Sequence, residues 1–268
     1  MEKYYSANKK RWDELAKLHF SSEHYRVKEF IAGETSLKPY ELEELGKDVK
    51  GKSLLHLQCH FGLDTLSWAR EGATVTGVDF SGEAIELAKS LAEEINVDAK
   101  FVQSNIYDLP KVLDGKFDIV YTSIGVLCWL HDIKKWGEII AHYLKPGGIF
   151  YIAEIHPFSM VFDEQHEKEL VVKYDYFYQE EPMEFEDDGS YADKEAKIEA
   201  KKDYEWQHSL SDIINALLQA GLKLEYLNEY PITVWEAYPF AKEDKDGYYR
   251  LKDQKAEIPL IFTIRATK

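Results

Sequence analysis

The stretch Ser53–Ser81, SLLHLQCHFGLDTLSWAREGATVTGVDFS, limits what this chain can fold into more than any other. It begins as a short apolar strand, Leu54-Leu55-His56-Leu57, and passes through a turn, Gln58-Cys59-His60-Phe61-Gly62. Leu63, Leu66 and Ala69 or Arg70 then recur three or four apart, the spacing of one helix face, and Gly72 is placed to stop that helix. A second strand, Thr74 to Val78, ends on Asp79. Strand, tight turn, helix, strand and acid, in this order, form the nucleotide-binding half of a doubly wound α/β sheet.

The chain on either side extends this pattern. Residues 1–46 read as an N-terminal helical lid, with Trp12, Leu15, Ala16 and Leu18-His19 in one helix and Tyr25, Val27 and Phe30-Ile31 in a second segment. After Asp79, Ser81 is placed to cap a helix carrying Ala84, Ile85, Ala88, Leu91, Ala92 and Ile95 at helical spacing. A third strand, Ala99 to Val102, leads into SNIYDLP. The fourth, Phe117 to Thr122, is nearly all apolar, as expected of a strand covered on both faces. Asp132 caps the next helix, Lys145-Pro146-Gly147-Gly148 makes a turn, and the fifth strand runs from Ile149 to Ile155.

Alternation then lapses. Between Asp163 and Glu205 stand 16 acids and 6 lysines interleaved with Tyr174, Tyr176, Phe177, Tyr178, Phe185 and Tyr191, a density of aromatics foreign to a disordered tail. Regularity returns at Ser209, which with Asp212 forms a capping-box start, and Leu222 to Leu227 and Ile258 to Ala266 read as the last strands. The expectation is a single domain over residues 1–268. Its core spans 47–154 and 206–268, with an acidic aromatic cap insertion at 155–205 and a second insertion at 231–257.

Acids number 49 and Lys plus Arg 33, a formal net charge of −16, which repels nucleic acid. No stretch of roughly eighteen apolar residues spans a membrane, and the N-terminal sequence lacks the apolar core of a signal peptide. A cytoplasmic monomer or homodimer is expected, without nucleic-acid or membrane partners. Cys59 and Cys128 read as reduced thiols, and the scattered histidines give no metal site.

Four segments, HLQCHFGLDT, GVDFS, SNIYDLP and LKPGGIFYIAE, resemble the class I S-adenosylmethionine-dependent methyltransferases in order and spacing, across roughly Lys52 to Glu154 and again from His208. The resemblance implies a Rossmann-like, mostly parallel seven-stranded sheet with a reversed last strand. That family's first turn reads acid-x-Gly-x-Gly-x-Gly, whereas here His56, Gln58, His60 and Gly62 hold those places. A pyrophosphate needs close backbone approach, which the Cβ of His60 obstructs; adenosylmethionine carries no phosphate and tolerates a bulkier turn. The substitutions thus weigh against NAD and an oxidoreductase. They leave open a non-catalytic adenosylmethionine or nucleotide-binding module.

By the same resemblance, Asp79 accepts both ribose hydroxyl bonds with Phe80 packing on the adenine and Ser81 next in the chain, and Asn105 bonds the adenine amino group with Ile106 beside it. Gly62, with His56, Gln58 and His60, faces the methionine portion, and Ser123 and Ile124 lie beneath the methyl donor. In-line transfer mainly requires alignment, worth ~7–11 kcal/mol, and a general base adds about 10²–10⁴-fold. His156 is the preferred base, with Glu154 and His131 as the others. Tyr4 or Tyr5, Trp12 and Trp129 are the aromatic candidates beside the sulfonium. The segment Tyr204-Glu205-Trp206-Gln207-His208 and Trp235 are expected to wall the pocket of a small-molecule acceptor. The acidic insertion suits a cationic or neutral acceptor, and serves surface solubility equally well.

Overall fold

The computed structural model describes residues 1–193, 195–252 and 256–268. Lys194 of the cap insertion and residues 253–255 of the second insertion lie outside the described residues. In chain order, α1 (Glu2–Ser21), α2 (Val27–Ile31), α3 (Pro39–Glu41) and α4 (Lys47–Val49) precede β1 (Ser53–Leu57). Then follow α5 (Leu63–Arg70), β2 (Thr74–Asp79), α6 (Gly82–Glu94), β3 (Ala99–Gln103) and β4 (Phe117–Thr122). After α7 (Ile133–Tyr143) and β5 (Leu144–Ile155) comes a hairpin, β6 (Met183–Glu186) and β7 (Lys202–Glu205). The chain ends with α8 (Leu210–Gln219), β8 (Lys223–Tyr230), the short pair β9 (Lys242–Glu243) and β10 (Tyr249–Arg250), and β11 (Ile261–Thr267).

Seven strands form one sheet in the order β3-β2-β1-β4-β5-β11-β8. All neighbours are parallel except β11, which runs antiparallel between β5 and β8. The fold is thus the doubly wound sheet with a reversed last strand that the resemblance implies. Ser81, Asp132 and Ser209 each cap their helix, accepting from Ala84, Lys135 and Asp212 amides.

Leu57 pairs with Val78 on one side and Thr122 on the other, so β1, β2 and β4 end flush. That register brings the turn after β1, Asp79 and Ser123 to a common edge. Leu54, Leu55 and Leu57 are fully buried because helices cover both faces. Gly77 permits the close packing here: a Cβ on it would meet Cys59 Sγ and the Phe101 ring at 2.8 Å.

β5 begins at Leu144, five residues before the expected start, because its Gly147 adopts φ +76° and donates its amide to Lys268 O at 2.8 Å, keeping the turn sequence paired. The β6–β7 hairpin sits on α1. Arg11 Nε lies 2.8 Å from Asp203 Oδ2, and its Nη1 donates to the carbonyls of Asp187 and Ala200 at 2.6 and 3.1 Å. Asn8 clamps Tyr204 on both sides, donating to its carbonyl and accepting from its amide at 2.8 Å each.

Candidate active site

A cavity of about 510 Å³ opens at the C-terminal ends of β1, β2 and β4, within the ~300–1,000 Å³ common for small-molecule sites. One wall is the turn after β1. Gln58, His60 and Gly62 all adopt left-handed φ, at 58°, 50° and 82°. The backbone therefore follows a path that glycine would take at each place, and two side chains are carried in a conformation that costs about 1–2 kcal/mol apiece. Local bonds hold it. Cys59 N–H donates to Val78 O at 2.8 Å, Gly62 N–H to Cys59 O at 2.9 Å, and Gln58 Nε2 to Val126 O at 3.1 Å.

Asp79 closes this wall. Its Oδ2 accepts from His60 N–H at 2.8 Å and its Oδ1 from Ser81 N–H at 2.9 Å. Each oxygen keeps further acceptor capacity toward the cavity it lines. Burial pushes its pKa up to about 6, against the pull of the amides. Asn105 Oδ1 accepts from Tyr107 N–H at 3.0 Å, and its side-chain amide lines the cavity with Phe80, Ile106, Ser123 and Ile124.

The facing wall comes from α1, the segments after it and the insertions. Tyr5, Trp12, Trp129 and Trp235 line it. Trp12 packs edge-on against His60 and Trp129, with ring centres 5.3 Å apart in both pairs. His19 ties the walls together, its Nδ1 3.0 Å from His60 Nε2 and its Nε2 2.8 Å from Ser190 Oγ of the cap. Burial pulls the His19 pKa down to about 3, so the pair is neutral.

Several residues expected at the site lie elsewhere, and strand alternation explains Glu154, His156 and His56. Ala153 and Ile155 face the cavity, so Glu154 points away. Its carboxylate instead accepts the amides of Gly125, Val126 and Leu127 at 2.6, 2.8 and 3.0 Å, fixing the loop after β4. His156 shares that orientation; its Nε2 bonds Glu229 Oε1 at 2.8 Å and its Nδ1 accepts from Phe158 N–H at 3.0 Å. Neither group reaches the cavity as a base. Leu57 lines the cavity while His56 lies beneath the turn, between Thr65 Oγ1 at 2.8 Å and Ser123 Oγ at 3.1 Å.

His131 stands behind Tyr5, bonded to its hydroxyl through Nδ1. Ser81 is spent on capping α6 and on Asp13, to which its Oγ donates at 2.7 Å. Trp206 is buried under Tyr4 and Tyr5, and Tyr4 donates to Glu181 at 2.6 Å rather than facing the cavity.

Three acids, Glu34, Glu41 and Asp64, and three tyrosines, Tyr25, Tyr40 and Tyr191, line the cavity beyond the residues expected there. Glu41 accepts from Lys38 N–H at 2.9 Å and from the Tyr121 hydroxyl. Burial, reinforced by Asp64, pushes Glu41 up to about 7. Asp64 accepts from Ser36 Oγ at 2.5 Å and is itself pushed up by burial. Tyr25 and Tyr191 share a hydroxyl bond, and Glu205, from the segment expected to wall the pocket, reaches the cavity from β7. Asp64 follows the first turn directly, a signal the sequence did offer; the others depend on contacts between distant segments.

An edge of flush strand ends, an acid closing β2 and this strand order are the class I fold of S-adenosylmethionine-dependent methyltransferases. Residues 55–152 match the family described as a methyltransferase domain. An uncharacterized methyltransferase of Synechocystis sp. is 37% identical over 132 residues, covering 47% of this chain and 57% of that protein. The ubiquinone biosynthesis O-methyltransferase of Escherichia coli is 32% identical over 106 residues, covering 40% of this chain and 44% of that protein. The chain thus spans about half the length of these curated relatives. A crystal structure of an S-adenosylmethionine-dependent methyltransferase from Mesorhizobium loti superimposes with TM-score 0.60 at 18% identity, covering 89% of this chain and all of that one. Among the described residues no helix is long and apolar enough to cross a membrane, and no three His, Cys, Asp or Glu are grouped to hold a metal ion.

Proposed function

We propose that the protein transfers a methyl group from S-adenosylmethionine to a small-molecule acceptor. Asp79 carries the reading. It is a buried carboxylate at the end of β2, fixed by two amides, with an open acceptor position on each oxygen, as a vicinal diol requires. The same turn argues against a dinucleotide. The His60 amide is already given to Asp79 and the Gly62 amide to Cys59, so neither is free for a pyrophosphate.

When bound, adenosylmethionine supplies an electrophilic methyl on sulfonium. The chain's own residues hold and orient. Asp79 grips the sugar, Phe80 and Ile106 flank the base, and the Asn105 NH₂ donates to a ring nitrogen, since its oxygen serves Tyr107. Glu154 and His56 act indirectly by fixing the loop that begins at Ser123. Residues 1–46 and the cap insertion serve as a lid that excludes water, and the acidic charge disfavours nucleic acid as the acceptor.

Calorimetry with adenosylhomocysteine tests this. Two bonds to a charged acceptor, at ~1.5–3 kcal/mol each, mean that Asp79→Ala weakens binding about 10²-fold or more. Affinity unchanged within a factor of two, or preferential binding of NAD by the wild type, overturns the reading.

A further inference from the structure

Glu205 is the last residue of β7, and its side chain lines the cavity. Both neighbours pin it there: Tyr204 is clamped by Asn8, and Trp206 N–H donates to Cys128 O at 2.8 Å. It therefore stands against the loop after β4, the loop that Glu154 fixes and that begins at Ser123. Among the described residues no hydroxyl, amide or cation donates to its carboxylate; the Cys128 thiol is the donor beside it. Arg11 of α1 attracts Glu205 through its charge but is bonded to Asp203 at 2.8 Å and to carbonyls of the hairpin. Asp203 of β7 and Glu164 of the preceding segment face Glu205 with the same sign.

A part-buried carboxylate without a bonded counter-ion favours either a proton or a cationic ligand. Burial, with Asp203 and Glu164, pushes Glu205 up to about 8. The rest of the wall has the same bias. Glu34, Glu41, Asp64 and Asp79 join Glu205 against only Arg26 and Lys38, and Arg26 is bonded to Glu34 at 2.9 Å. Trp12 and Trp129 add aromatic faces suited to an organic cation.

We propose that the acceptor is a cationic amine and that Glu205 takes its proton, an assignment that rests on the methyltransferase reading above. The ammonium gives one N–H proton to the Glu205 carboxylate. The freed lone pair forms the new N–C bond as the S–C bond breaks, and that electron pair returns to sulfur. The products are the methylated ammonium and adenosylhomocysteine, and the proton passes from Glu205 to solvent.

Calorimetry on the full chain saturated with adenosylhomocysteine, using the matched probes tyramine and tyrosol, then tryptamine and tryptophol, tests this. Each amine should bind at least tenfold tighter than its alcohol. Glu205→Gln should abolish that preference, Glu205→Asp should restore part of it, and adenosylhomocysteine affinity should hold within threefold in both. With labelled methyl donor, kcat/KM for the amines should climb through about pH 8 in the wild type, and the Gln variant should lose that limb. Equal binding of amine and alcohol, no binding of either amine, or an intact limb in Glu205→Gln overturns the inference. Failure of the wild type to bind adenosylhomocysteine instead overturns the reading beneath it.

Discussion

The two walls of the cavity are built on different principles. On the strand-end wall, polar groups are satisfied by backbone of the strand-end turns themselves: Asp79 by the amides of His60 and Ser81, Asn105 by that of Tyr107. On the facing wall, they are satisfied across the chain. Arg11 meets Asp203, Asn8 meets Tyr204, and Tyr25 meets Tyr191. Local satisfaction makes a wall that forms with its own β-α-β unit and suits a constant ligand. Long-range satisfaction makes a wall that exists only when the cap is docked, which suits a substrate that must enter and leave.

Arg11→Ala should break this contrast hardest. The ion pair has side chains only 7% and 8% exposed, and removing one partner of a buried pair typically costs ~3–5 kcal/mol. Urea unfolding should register that loss, while adenosylhomocysteine affinity in the folded variant stays within about threefold. If cofactor affinity falls in step with stability, the walls are one unit and the contrast is wrong.

The same division decides what could be read in advance. Leucines at helix spacing, apolar strands, and the caps Ser81, Asp132 and Ser209 are local signals, and each element formed about where its pattern stands. Asp79 was legible because strand, turn, helix and strand bring it to the edge by register alone. His156 and Glu154 show that nearness to a strand end is not access. The two-residue alternation that puts Ala153 and Ile155 in the cavity turns Glu154 and His156 away. Glu41, Tyr191 and the pairing of Arg11 with Asp203 rather than Glu205 depend on how α1 and the insertion dock, which no periodicity encodes.

A smaller effect sharpens the strand-end wall. Asp79 has a folded-state pKa of about 6, raised by burial above its unfolded value near 4. The ligand-free fold therefore has stability at low pH that is lost as pH rises through about 6. Binding has the opposite sign, because ribose hydroxyls donate best to the ionised carboxylate. Adenosylhomocysteine affinity should be flat above about pH 7 and fall about tenfold between pH 7 and 5 in calorimetry. Asp79→Asn should show a weaker affinity without that slope; a slope that survives in this variant assigns the titration to another group.

The smallest effect concerns the turn itself. Gln58 and His60 hold φ of 58° and 50°, a region that disfavours any Cβ. Replacing each by Ala or by Gly removes the same side-chain bonds, Gln58 to Val126 and His60 to His19, so the two replacements differ only in backbone preference. Glycine has more unfolded-state entropy to lose, by about 0.5–1 kcal/mol, but avoids a left-handed penalty of about 1–2 kcal/mol. The Gly variants should therefore be more stable than the Ala variants by ~1 kcal/mol in thermal or urea unfolding. The order Ala above Gly at both positions means the turn relaxes out of the left-handed region once its side chains are gone. In that case the side chains, not the strand register, hold the backbone path along which Asp79 finds the His60 amide.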